Sequence, residues 1–351
     1  MIDTHAVIAA AESAVAYFVN LKEENGKELP VKVNVVEAGI GGVSVVVSDL
    51  PYDIVDVAKV EQKILQQIEQ HTGLKKVNVA LSRSSPQKHA MKQQAKPLIL
   101  AVGSGKGGVG KSTLSVGLAI ALRKLGLRIG ILDADIYGPS LPKLLGVESE
   151  RSRYEDSKLK PVMVDDLPTL SIGYMIEPEQ AVMWRGPMLV RALKKMLLEA
   201  DWGNIEILII DLPPGTGDVQ LTLAQNAQLT GAVIVSTPQD IALADARKAI
   251  SLFDRIEVPV LGIIENMSGF ECPHCGKISD IFGHGGAERE AEKRSVPFLG
   301  SIPLDQELMA AADVGEMISR INSERTGASP ITAVARNLLS EIFIKRENSA
   351  L

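Results

Sequence analysis

"GSGKGGVGKST", residues 103–113, sets the architecture of this chain. It follows the apolar run "LILAV" (98–102) and opens directly into "STLSVGLAIALRKLG" (112–126), whose composition is helical. From Gly105 to Ser112 it fits G-x-x-x-x-G-K-[ST], in the strand–loop–helix setting that the motif requires. Glycine lets the backbone wrap closely, so successive N–H groups aim at phosphate oxygens, and the following helix N-terminus adds positive potential. Gly105, Lys106, Gly107, Gly108, Val109, Gly110, Lys111, Ser112 and Thr113 are therefore expected to bind a nucleotide, taken as ATP. In that geometry Lys111 reaches the outer phosphates and the Ser112 hydroxyl sits on Mg2+.

Outward from this loop, "LILAV", "LRIGIL", "IEILII", "AVIVS", "PVLGII" and "PFLGS" are short, near-continuous apolar runs separated by helical segments. Strands apolar on both faces belong in a parallel sheet covered by helices, and such sheets bind ligands at their carboxyl ends. The expected fold class is α/β, a P-loop NTPase with a mostly parallel, doubly wound sheet. "ILIID" ends in Asp211, placed to hold Mg2+, and runs into the glycine-containing "LPPGTGD". "ILDADIYGPSL" puts Asp133 and Asp135 two positions apart at another strand end. On an extended chain, residues i and i+2 project to one side. Asp135 is then expected to position the attacking water and Asp133 to act through the metal's water shell; the alternative is that one of them caps the following turn.

Ahead of this lies a smaller α/β unit, residues 1–81. Thr4 can cap a helix carrying Val7, Ile8, Ala11, Val15 and Phe18, followed by the strand-like "VKVNVV" and "VSVVV" with glycines between them. A second helix has Val57, Val60, Ile64 and Ile68 on one face and Gly73 at its C-cap, before the strand "KVNVAL". "SRSSPQKHAMKQQAK" (82–96) reads as a tether or, given its lysines, as a basic docking segment; residues 97–351 form the nucleotide-binding domain. "VESERSRYEDSKLK" (147–160) reads as a solvated loop, and "WRGPM" (184–188) yields no mechanism.

The 351 residues are 46% hydrophobic and carry a formal net charge of −6, which gives no reason to expect a nucleic-acid partner. No apolar run approaches the roughly 20 residues of a membrane span, and the N-terminus lacks a basic start, so a cytoplasmic protein without stable membrane association is expected. The terminal stripe Ile331, Val334, Leu338, Leu339 and Ile342 fits a packed helix, or else an amphipathic membrane helix.

Lys106 is more than an ordinary P-loop requires. With it, "KGGVGKST" resembles the deviant Walker A motif of the MinD/ParA ATPases, which implies a homodimer sandwiching ATP, with Lys106 reaching the partner's nucleotide. "DADIYGPSLPKLLG", "SIGYM", "WRGPM", "DLPPGTGD", "STPQD", "ENMSGFECPHCGK", "FGHGGAE" and "PFLGSIPLD" together resemble the Mrp/ApbC-type ATPases over roughly residues 97–320. That resemblance implies a slow, Mg2+-dependent ATPase that receives an iron–sulfur cluster from an assembly scaffold and delivers it to apo-proteins. It also implies that Asn266 contacts the adenine, that Pro238 and the segment around Pro303 line the base pocket, and that Cys272 and Cys275 hold the cluster. Residues 1–80 lack the Asp-Pro-Glu motif and the cysteine that the family's small domain often has. This leaves a docking or scaffold role.

"ECPHCGK" (271–277) holds the chain's two cysteines. A cubane cluster takes about four thiolates and tetrahedral zinc about four ligands. A two-fold dimer would supply the missing pair, so a 4Fe–4S cluster bridging the homodimer is one reading. A zinc knuckle completed by His274 or His284, within a MinD/ParA-like positioning switch, is another. Thiol–disulfide chemistry is a third.

Overall fold

The computed structural model describes residues 4–19, 32–38, 42–50, 57–74, 77–83, 96–136, 138–155, 158–175, 186–215, 220, 227–323 and 329–349. Its packing divides into two compact units, residues 1–93 with 339–351, and residues 94–338. The expected boundaries differ at the C-terminus, where 339–351 group with the first unit.

The first unit contains strands β1 (Lys32–Ala38), β2 (Gly42–Leu50) and β3 (Val77–Arg83), with β1 antiparallel and β3 parallel to β2. A β2-to-β3 parallel step needs a crossover, and the helix Val57–Thr72 supplies it. That helix buries Val60, Ile64 and Ile68 completely, the face legible in its spacing. Each such isoleucine stabilises the unit by about 1.5–3 kcal/mol. Gly73, at φ 72°, returns its N–H to the Glu69 carbonyl and ends the helix. The helix Thr4–Val19 buries Val7, Ala10, Ala11 and Ala14, while Ile8, expected on that face, is half-buried. This helix packs against its neighbour Val57–Thr72.

The second unit is built on one eight-stranded sheet. Its strands are β4 (Leu98–Gly103), β5 (Ile129–Asp133), β8 (Val162–Val164), β9 (Leu167–Ser171), β10 (Ile207–Asp211), β11 (Gly231–Ser236), β12 (Val260–Asn266) and β15 (Phe298–Ile302). The order is β15-β12-β11-β4-β10-β5-β9-β8, parallel throughout except for the β8–β9 pair. All six apolar runs of the sequence are strands, and β4, which feeds the phosphate loop, lies near the centre. β5, β10, β11 and β12 are buried along their whole length, the condition for apolar residues on both faces. The edge hairpin β8–β9 was not expected. Its turn is Asp165–Asp166, both left-handed (φ 47° and 60°), a two-residue connection that aspartate tolerates better than most side chains.

Two smaller ladders complete the strands: β6 (Arg153–Glu155) with β7 (Lys158–Lys160), and β13 (Phe270–Glu271) with β14 (Ile278–Ser279). The first corrects the solvated-loop expectation for residues 147–160. Leu159 there is 2% exposed and joins the main core, so one apolar residue in a charged stretch is enough to anchor a ribbon. The terminal helix Pro330–Ser349 is a packed helix: Ile331, Val334, Leu338 and Ile342 are all buried. Among the described residues no helix is long and apolar enough to cross a membrane. The tether 84–95 and Trp184–Arg185 of "WRGPM" lie outside the described residues.

Candidate functional site

β4 ends at Gly103, and the chain turns through Ser104–Gly110 into the helix Lys111–Lys124. Gly108 and Gly110 adopt φ of 81° and 83°, conformations that side-chain-bearing residues rarely hold. At Gly105 the reason for glycine is space: a Cβ would lie 2.0 Å from the backbone of Asp245. The helix starts at left-handed Gly110 with no side-chain cap, which leaves its N-terminal positive potential for a ligand. Gly107 and Gly108 are exposed, Val109 is buried, and Lys106 is half-buried with no side-chain partner among the described residues.

Lys111 is buried, and its Nζ lies 2.7 Å from Asp211 Oδ1 and 3.2 Å from Ser112 Oγ. The structure thus brings the three expected magnesium and phosphate residues together, two of them across a separation of 100 residues. Ser115, which sequence reasoning missed, donates its hydroxyl to the same Asp211 Oδ1 at 2.7 Å. It lies one helical turn after Lys111, the i+4 spacing that could have found it. The donor chemistry suits Mg2+: a hydroxyl and a carboxylate, both hard oxygen ligands, flank one ammonium. The next residues hold the loop in place, Leu212 N–H donating to the Val102 carbonyl and Gly215 N–H to that of Ser104.

Asp133 stands beside Asp211 in register across β5 and β10. Its carboxylate accepts from the N–H groups of Asp135 (3.0 Å), Ser140 (3.0 Å) and Leu141 (3.2 Å) and from Ser171 Oγ (3.1 Å). Burial, and secondarily the neighbouring Asp211 carboxylate, raise its pKa to about 7. This is the turn-capping alternative: Asp133 anchors the loop 134–141, and its bond to Asp135 N–H is an Asx turn. The strand ends at Asp133, so Asp135 lies beyond it, in the bend that the Asp135 N–H to Asp133 bond closes. Asp135 is half-buried at the lip of this bend.

Asn266, the last residue of β12, donates its amide to the Val109 carbonyl at 2.8 Å. It lines a cavity of about 360 Å3 with Gly110, Thr113, Leu144, Pro303 and Leu304, beside the start of the phosphate-loop helix. The expected base-pocket residues Asn266 and Pro303 therefore meet. Pro238 does not line it; its carbonyl packs against Gly286.

Cys272 and Cys275 sit in the tip of the β13–β14 ribbon. Cys272 N–H donates to the Lys277 carbonyl (3.0 Å) and Gly276 N–H to the Cys272 carbonyl (2.8 Å), with Gly276 at φ 67°. Cys272 is partly exposed and Cys275 exposed. The His274 amide, then the Cys275 amide and thiol, donate toward the Cys272 sulfur and lower its pKa. Two accessible thiols are thus brought together at the ribbon tip. Among the described residues no group of three or more His, Cys, Asp or Glu could hold a metal ion. His284 Nδ1 instead lies 3.1 Å from Ser268 Oγ.

A central phosphate loop, a lysine–aspartate pair at adjacent strand ends and a mostly parallel sheet define the chain as a P-loop NTPase fold. Over residues 95–339 it matches, and belongs to, the ParA family described as NUBPL iron-transfer P-loop NTPase. It is 51% identical over 247 residues to an iron–sulfur cluster carrier protein of Escherichia coli K12, covering 70% of this chain and 65% of that one. A nucleotide-binding protein of Archaeoglobus fulgidus, solved in complex with ADP, is 40% identical with a TM-score of 0.57, covering 64% of this chain and 88% of that one. The cell-division protein MinD of Aquifex aeolicus shares the fold, at 24% identity and a TM-score of 0.50, covering 69% of this chain and 97% of its own.

Proposed function

We propose that the protein is an ATP-binding, slowly hydrolysing carrier of iron–sulfur clusters that works as a homodimer in the cytoplasm. The observation that carries this reading is the half-site: two preorganised, accessible thiols in the same chain as a complete P-loop, with no third ligand among the described residues. The name of the Escherichia coli relative supports it. A second copy would supply the other two thiols, making the substrate a 4Fe–4S cluster, received from an assembly scaffold and passed to apo-proteins.

In the nucleotide site, ATP phosphates are held by the Gly105–Gly110 amides and Lys111. Ser112 and Asp211 would hold Mg2+, which would supply neutralisation of phosphate charge. Asp135, at the lip of the bend, is the residue we assign to orienting the attacking water. Asp133 acts indirectly, by fixing that bend. Lys106, half-buried and without a partner among the described residues, reaches the partner subunit's nucleotide. Residues 1–81 serve as a docking or scaffold module and 82–96 as a tether.

The positioning switch with a structural zinc has less behind it, because a knuckle within one chain needs about two ligands beyond the thiols, and no group of three or more His, Cys, Asp or Glu among the described residues could hold a metal ion. Cluster transfer to an apo-acceptor, with and without ATP, tests the proposal. Lys111→Ala protein is expected to lose the ATP effect, and unchanged ATP-stimulated transfer would sink the coupling.

A further inference from the structure

The cavity beside Asn266 has a neighbour. A second cavity, of about 680 Å3, is lined by Cys272, Pro273, His274 and Gly276 from the cysteine ribbon. Both cavities include Pro303, Leu304 and Asp305 in their walls. One short segment therefore faces the candidate base site on one side and the cysteines on the other.

That segment is tied to the chain joining Asn266 to Cys272. Ser268 N–H donates to the Ile302 carbonyl (2.9 Å), and Leu304 N–H donates to the Gly269 carbonyl (2.9 Å). The connection is short, and two of its residues hold left-handed conformations, Met267 at φ 58° and Gly269 at φ 78°. On its far side it is pinned by Glu265, a fully buried carboxylate that accepts from Ser268 Oγ (2.6 Å), Gly285 N–H (2.8 Å) and Ala287 N–H (2.7 Å). Its near end is held to the phosphate loop by the Asn266–Val109 bond. Its middle, Ser268 and Gly269, is buried and bonded to the wall, which couples a displacement of one to the other.

We infer that Asn266 is a positioning residue that reports occupancy of the nucleotide cavity to Cys272, through residues 267–271 and the shared wall Pro303–Asp305. Its amide holds the Val109 carbonyl through one N–H. A nucleotide base that bonds the amide's second N–H or its Oδ1 reorients the side chain and displaces one end of the connection. The wall and the ribbon tip then shift, changing how the two thiols are presented. This rests on the carrier reading for its purpose but not for its test.

The test uses the full-length, cluster-free protein and follows alkylation of Cys272 and Cys275 by iodoacetamide. Rates are compared without nucleotide, with Mg2+–ADP and with a non-hydrolysable Mg2+–ATP analogue, each at concentrations shown by direct binding to saturate. In the parent, one nucleotide is expected to change the rate at least about fivefold, the scale of a modest coupling between sites. In Asn266→Ala and Asn266→Asp, neither of which can donate to Val109, the ratio is expected to fall toward unity. Gly269→Ala leaves the lining of the nucleotide cavity untouched and strains the connection where a Cβ would lie 3.3 Å from Ile278. It decides the matter should the Asn266 variants fail to saturate, and is expected to lose the ratio too. A parent with no nucleotide effect, or variants that keep the full effect, would overturn the inference. A protein that proves unable to hold a cluster would leave this readout intact.

Discussion

The phosphate loop and the cysteine ribbon belong to one unit and are built in opposite ways. At the first, Lys111 and Asp211 are 6% and 2% exposed, paired at 2.7 Å, and backed by Ser115, so this buried cluster is satisfied within one chain. At the second, two thiols sit near solvent on a two-residue ladder, with no third ligand among the described residues. The contrast separates a site that the fold must close in order to be stable from one that it leaves open to another molecule.

The sharpest way to break the comparison is to remove one partner of the buried pair. Lys111→Ala leaves Asp211 as a buried charge and is expected to lower stability by about 3–5 kcal/mol in urea unfolding, besides abolishing nucleotide binding. A loss below about 1 kcal/mol would mean that this site is no more closed than the ribbon. Next in size is Gly105→Ala, whose Cβ would meet the Asp245 backbone at 2.0 Å. It is expected to cost about 1–3 kcal/mol through overpacking, read from the same unfolding curves.

A smaller effect concerns pH. Asp133 titrates at about 7 in the folded chain against 3.8 for an unperturbed aspartate, chiefly because it is buried. The folded state thus holds a proton that the unfolded state has released. Stability from this group is present below the lower value and is lost as pH rises between the two. In the nucleotide-free and magnesium-free protein, urea midpoints should fall from about pH 5 to about pH 8, and Asp133→Asn should flatten that fall. An equal fall in the variant would assign the pH dependence to other groups. Smallest of all, Cys272→Ala should change stability by no more than about 0.5 kcal/mol, as expected for an open ribbon. A large loss would show that the cysteine is a packing residue.

The sequence was most informative where one residue type has one use. Gly105–Ser112, the six apolar runs and the Val60–Ile64–Ile68 face were legible because glycine conformations, parallel sheets and helical spacing each leave a local pattern. The β8–β9 hairpin and the anchoring of Leu159 were not, since their strands are three to five residues long and their partners come from the sheet edge. Asp133 shows the limit at the site itself. Its identity as a strand-end carboxylate was readable, but its role depends on donors at Ser140, Leu141 and Ser171, brought to it by folding. The Glu265 anchor was missed for the same reason, its donors at Gly285 and Ala287 being brought to it by folding.

The central claim is that the cysteine site is half a site. The most direct test is iron and sulfide content together with oligomeric mass after anaerobic reconstitution, on the parent and on Cys272→Ala. The account predicts roughly one cubane per two chains on a dimer, with about four thiolates drawn from both copies, and its loss in the variant. A metal retained by a monomer, whether zinc or iron, would contradict it.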